Sequence, residues 1–133
     1  MTTREASCSC GQLRATCEGE PVRISICHCI ACQRRTGSVF GAQARFPRGK
    51  VETAGQSTTF QRVAESGNTI TFHFCPNCGA TVFWRIDAQP DLLAVAMGAF
   101  ADPSFPEPRF SVFESTRHRW AMAPGELEME HLG

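Results

Sequence analysis

The sequence predicts an all-β fold with at most one short helical turn. Apolar and polar residues alternate in one short run after another, turn-forming residues separate the runs, and a single short stretch reads as helix. Leu13, Ala15 and Cys17 form one apolar face against Arg14, Thr16 and Glu18. Val22, Ile24 and Ile26 repeat the pattern with Arg23 and Ser25 turned outward, and Phe40, Ala42, Ala44 and Phe46 repeat it again before Pro47. Ile70, Phe72 and Phe74 alternate with Thr69, Thr71 and His73 and run straight into Cys75, after which Val82, Trp84 and Ile86 continue. The near-continuous apolar run 92–100 reads as a strand covered on both faces, since Gly98 and the flanking prolines argue against helix. Phe110 and Val112 suggest a last strand, turns fall at 47–49, 66–68 and 102–108, and the helical stretch is 31–35, stopped by Gly37. Trp84, Trp120 and the phenylalanines are expected mainly in the core.

A chain of 133 residues has room for one domain, with its ordered core expected at about 8–120 and a loose acidic tail at 125–133. Thirteen basic residues balance thirteen acidic ones, so nothing in the charge points to nucleic acid or an anionic membrane. Lys50 is the sole lysine, and the arginines that make up the rest can grip carboxylates bidentately. Residues 1–10 hold no apolar run, which predicts no secretory signal and a cytoplasmic protein. Eight cysteines in such a setting read as metal ligands before disulfides, the alternative being a secreted disulfide scaffold.

Seven of the eight fall in three clusters: Cys8-Ser9-Cys10, Cys27-His28-Cys29-Ile30-Ala31-Cys32, and Cys75-Pro76-Asn77-Cys78-Gly79. The last has the form of a zinc knuckle, in which a tight turn aims two sulfurs at one ion. Cys8 and Cys10 share a face of extended backbone and supply another pair. Two pairs fill a tetrahedral shell, whereas Cys27, Cys29 and Cys32 with an added pair would overfill one. The partition that leaves no orphan is a closed structural site at Cys8, Cys10, Cys75 and Cys78 and a three-thiolate site with an open position at Cys27, Cys29 and Cys32. Loading both with zinc leaves the chain at about −3, a further argument against nucleic acid. Three thiolates make zinc a weak Lewis acid that favours another soft ligand, so the open position predicts a thiol, held deprotonated and therefore nucleophilic. Arg34 and Arg35 follow this cluster at once and are candidates to clamp the thiol's carboxylates. His28, pointing away from the metal, and His73 are candidates to orient the site or manage a proton. Cys17 shares the Leu13–Ala15 face and reads as a core thiol.

The ordered motifs C-x-C-G, C-H-C-x-x-C-x-x-x-x-G, F-C-P-x-C-G-A, G-x-F-x-D-P and a late Trp resemble the glutathione-dependent formaldehyde-activating enzyme family, whose domain is also found in centromere protein V. The resemblance spans roughly Cys8 to Trp120; Cys17 lies outside it, and only seven residues precede Cys8, fewer than in the glutathione-using members. It implies a zinc-pinned β-tent of two antiparallel sheets, with the same partition of ligands between a structural and a catalytic zinc. It also implies a carbon–sulfur lyase that joins glutathione to formaldehyde as S-(hydroxymethyl)glutathione. The other reading is a non-catalytic zinc-binding module, with the three-cysteine site closed by water, His73 or Cys17.

Overall fold

The computed structural model describes residues 2–121 and 130–132. Its strands are β1 (Thr3–Ser7), β2 (Arg14–Glu18), β3 (Arg23–Cys27), β4 (Gly41–Pro47), β5 (Val51–Ala54), β6 (Thr58–Val63), β7 (Thr69–Phe74), β8 (Thr81–Ile86), β9 (Leu92–Ala96), β10 (Phe110–Val112) and β11 (Glu130–His131). One helix, α1 (Ile30–Thr36), lies between β3 and β4. The strands form two sheets, in the orders β1-β2-β5 and β11-β10-β3-β4-β9-β8-β7-β6, so the protein is all-β.

The main core is the layer between the sheets. Ala6, Leu13, Ala15 and Cys17 face Ala44, Phe46, Val95 and Phe83 across it, as the alternation around Leu13 requires. Phe100 and Phe105 stack at 4.7 Å and extend that layer, with Phe46 6.0 Å from Phe100. The opposite face of the large sheet carries a second, smaller cluster of Ile70, Phe72, Trp84 and Ala94. Covering both faces changes the pattern in β3, where Ser25 is buried although alternation alone turns it outward.

Other departures have local causes. The large sheet is mixed and not wholly antiparallel, because β10 runs parallel to both β3 and β11. The helix is longer than a single turn, capped by Cys29 at its start and by Gly37 at φ 71° at its end. The apolar run after Leu92 is strand only to Ala96, and Met97–Phe100 is a 3-10 turn that still buries Phe100. Strand β1 escapes the alternation rule because Ala6 is the one apolar residue in a polar run, and β5 and β6 because they are largely exposed; β6 lies at the end of its sheet. Trp120 is 75% exposed, against expectation, while Trp84 is buried. Of the expected tail, Glu130–His131 pairs with β10, and residues 125–129 and 133 lie outside the described residues. Among the described residues no helix is long and apolar enough to cross a membrane.

Candidate functional site

Cys8 and Cys10 follow β1, and Cys75 and Cys78 follow β7, so this cluster ties the small sheet to the large one. Their four sulfurs lie within 4.8 Å of one another. Cys10 Sγ is 3.6 Å from both Cys8 Sγ and Cys75 Sγ, close to the ~3.8 Å of a tetrahedral site with metal–sulfur bonds of ~2.3 Å. The turns that aim them depend on Gly11 at φ 85° and Gly79 at φ 79°, a region that favours glycine. Main-chain N–H groups of Leu13 and Asn77 donate to Cys8 Sγ at 3.2 Å and to Cys75 Sγ at 3.4 Å, and Gln12 Nε2 donates to Cys75 Sγ at 3.0 Å. Burial works against ionisation of Cys75, yet Gln12 and the N–H groups of Cys78 and Asn77 pull it down to about 6. Cys10 also receives an N–H, from Gln12, but the Cys8 and Cys75 thiols push it up to about 11. Four thiols this close resist ionising together, and a divalent cation removes that conflict.

The second cluster is built by the end of β3 and the start of α1. Cys27 closes β3 opposite Gly41, Cys29 caps the helix, and the Cys32 N–H donates to Cys29 Sγ at 3.3 Å. These three sulfurs also lie within 4.8 Å of one another. Hydrogen bonds from Cys27 and Cys32 lower Cys29, while the bonds to Cys29 and Cys32 raise Cys27. Negative charge is thus drawn to the middle of the trio, and the donor set fits a thiophilic metal. Among the described residues no fourth His, Cys, Asp or Glu joins the group. The trio opens on a cavity of about 250 Å3 on the second apolar face of the large sheet, with Arg35, Arg45, Arg62, Glu65, Phe72 and Trp84 on its walls. The model of the glutathione-dependent formaldehyde-activating enzyme family matches residues 3–116, and with them both clusters and the whole lining of this cavity. The chain belongs to that family.

No curated protein matches the chain. The crystal structure of a Rhodobacter sphaeroides protein, a structural-genomics target, is similar in fold, with 18% identity and a TM-score of 0.56 over 71% of this chain and 85% of that one. For this member of the formaldehyde-activating family, the residues around the trio depart from the sequence reading in several places. Arg35 lines the cavity, its guanidinium 4.4 Å from the Trp84 ring, and a Cβ built on Gly41 would sit 3.0 Å from Arg35 Nη2 and 3.7 Å from Cys32 Sγ. Arg34 does not line it; it borders a neighbouring apolar groove with Phe60 and Phe74, because successive residues of a helix point to different sides.

His28 is fully buried and lies outside the cavity lining. Its Nε2 meets Ser111 Oγ at 3.1 Å, Ser111 donates to Glu114 at 2.9 Å, and burial lowers its pKa against the pull of Glu114. Its carbonyl accepts from Gln33 at 2.9 Å and Thr116 at 2.7 Å, so His28 pins the Cys27–Cys29 loop from behind and does not face the reacting space. His73 is also misplaced for proton transfer at the trio. It bonds Ser57 at 2.9 Å, stacks on Phe83 at 4.6 Å, and lines a different cavity, its pKa lowered by burial and by Arg85. Cys17 is completely buried in the main core, where burial pushes its thiol up to about 11. Sequence reasoning missed Arg45 and Arg62. Arg45 is an outward-facing position inside the anticipated run 40–46 and Arg62 lies on the unanticipated β6, and cross-strand pairing is what carries them to the trio's side of the sheet.

Proposed function

We propose that the protein is a zinc-dependent carbon–sulfur lyase of the S-(hydroxymethyl)glutathione synthase type, adding a thiol such as glutathione to formaldehyde or another small aldehyde. One observation carries the reading: the three-thiol cluster lacks a fourth ligand among the described residues and opens on a cavity walled by arginines. Of the ligands expected to close the cluster as a structural site (water, His73 or Cys17), both side chains lie elsewhere, Cys17 in the main core and His73 on a different cavity. Cys8, Cys10, Cys75 and Cys78 would hold the structural zinc, and Cys27, Cys29 and Cys32 the catalytic one. Zinc held by the trio supplies the positive charge that keeps an incoming thiol ionised at neutral pH.

The chain's own groups do the rest. Arg35 and Arg62 face the trio's excess negative charge, Arg35 favouring ionised Cys32 and Arg62 favouring ionised Cys29. Both guanidiniums lie against Phe72, at 5.3 and 5.4 Å, which holds them in place to meet a substrate carboxylate. The sulfur attacks the aldehyde carbon, a C–S bond forms, and the carbonyl oxygen takes up a proton equivalent to the one the thiol gave up. Glu65 on the cavity wall is a carboxylate able to carry that proton. Ligands that must stay reduced suit the cytoplasm.

The test is cobalt substitution followed by titration with glutathione. Sulfur-to-metal absorption should rise on titration, and the rise should vanish in Cys29→Ser while the fold survives on the four-cysteine site. Spectra that ignore every small thiol would defeat the enzyme reading and leave a non-catalytic zinc module in its place.

A further inference from the structure

Arg45 is the cavity cation that the chemistry above leaves unused. Residues 41, 43 and 45 of β4 share one face, and their partners on β3 are Cys27, Ser25 and Arg23. That face leads from the thiol cluster, at the Gly41–Cys27 pair, to Arg45 four residues on, a span of about 13 Å. Gln43, midway, bonds Ser25 at 3.3 Å and lines the same cavity.

The surroundings of Arg45 are those of a cation awaiting an anion. Its Nη1 donates to the neutral Gln89 Oε1 at 3.1 Å, and its Nε is buried without a partner. The charged neighbour across the strand pair is another arginine, Arg23, whose own guanidinium rests over the Phe110 ring at 4.2 Å. Burial, reinforced by Arg23, disfavours the charged form of Arg45, against a smaller favourable pull from Cys27 at the other end of the face. No carboxylate of the described residues pairs with it. A half-buried guanidinium in this state lowers the stability of the empty protein, and an acid delivered by a ligand would satisfy it.

We infer that Arg45 receives the carboxylate at the far end of the thiol ligand, and so makes the cavity a ruler for thiols whose acid lies well away from sulfur. The inference rests on the thiol-binding reading of the trio. Allowing for the reach of the arginine side chain, the ligand must place sulfur and acid on the order of 10 Å apart or somewhat less, a reach that the extended γ-glutamyl arm of glutathione has from its central cysteine. Short amino-acid thiols such as cysteine reach Arg35 but not Arg45.

The experiment is calorimetric titration of the zinc-loaded protein and of Arg45→Gln and Arg45→Lys with glutathione, cysteine and 2-mercaptoethanol. Arg45→Gln should weaken glutathione by tenfold or more and leave the other two within twofold, and Arg45→Lys should restore part of the loss. The melting temperature of ligand-free Arg45→Gln should equal or exceed that of the parent, because an unsatisfied cation has been removed. Unchanged glutathione affinity in Arg45→Gln would overturn the ruler while leaving the thiol site intact. Equal loss for all three thiols would also overturn it, by marking Arg45 as a support of the trio. If glutathione fails to bind the parent protein, the ruler and the thiol-binding reading fall together.

Discussion

Adding one methyl group at Gly55 should break the clip that holds Cys75. Gly55 sits at φ 98°, and a Cβ there would overlap the main-chain oxygen of Gln12 and stand 2.9 Å from Gln12 Oε1. Gln12 is bonded to the chain beside that glycine in both directions: its Nε2 donates to Gln56 O at 2.7 Å, and its Oε1 accepts from Gln56 N at 2.8 Å. The same Nε2 reaches Cys75 Sγ at 3.0 Å. In Gly55→Ala the backbone strain alone costs about 1–2 kcal/mol, and losing the two clip bonds adds about 1 kcal/mol each. A total of about 3–4 kcal/mol is a large fraction of a small protein's stability and should lower Tm by roughly 10 °C. Gly67→Ala is the control, since Gly67 has a similar φ of 88° but open space where its Cβ would go. Melting curves and chelator-driven zinc release should be followed for both variants. Gly55→Ala should melt lower than Gly67→Ala and release one zinc faster. Equal melting and equal release would refute the claim that Gln12 links this turn to the four-cysteine site.

Both clusters were legible in the sequence because their ligands come in local pairs or a local trio. Cys75 and Cys78 are brought together by the turn between them, and Cys27, Cys29 and Cys32 by one strand end running into one helix. The Leu13–Ala15–Cys17 face was legible for a similar reason, since β2 buries one side and exposes the other. Alternation failed where both faces are covered: Ser25 and Gln43 are buried polar residues that bond each other across β3 and β4. The cavity was illegible for a further reason. Arg62 reaches it from β6 and Arg45 from β4, strands separated in the sheet by β9, β8 and β7, and nothing local encodes that order. His28 and His73 both neighbour cysteines in sequence, yet the pleat sends His28 to Ser111 and His73 to Ser57, each away from the trio. Sequence adjacency to a ligand is therefore weak grounds for a catalytic role.

Gly41→Ala should leave the fold within about 1 kcal/mol, because the flexible end of Arg35 can give way, but it should weaken glutathione severalfold in titration by displacing that guanidinium. Unchanged affinity would remove Arg35 from the site. Cys17→Ala should cost about 1 kcal/mol in urea melts and leave zinc content intact, whereas loss of one zinc would return Cys17 to the ligand set. Glu114→Gln should alter the acid limb of stability. Burial alone would raise the Glu114 carboxyl, but hydrogen bonds from His131 at 2.7 Å and Ser111 at 2.9 Å outweigh it and hold the group below its ordinary 4.5. A carboxylate with a depressed folded pKa stabilises the native state above its unfolded value and loses that contribution as pH falls through the folded one. The parent should therefore exceed Glu114→Gln in melting temperature at pH 6, and the gap should narrow steadily below about pH 4.5. Because Glu114 reaches His28 through Ser111, the same variant should loosen the Cys27–Cys29 loop and speed zinc release at neutral pH. A gap that stays constant down to pH 3 would show that the Glu114 charge does not hold this loop, and that its contribution is packing alone.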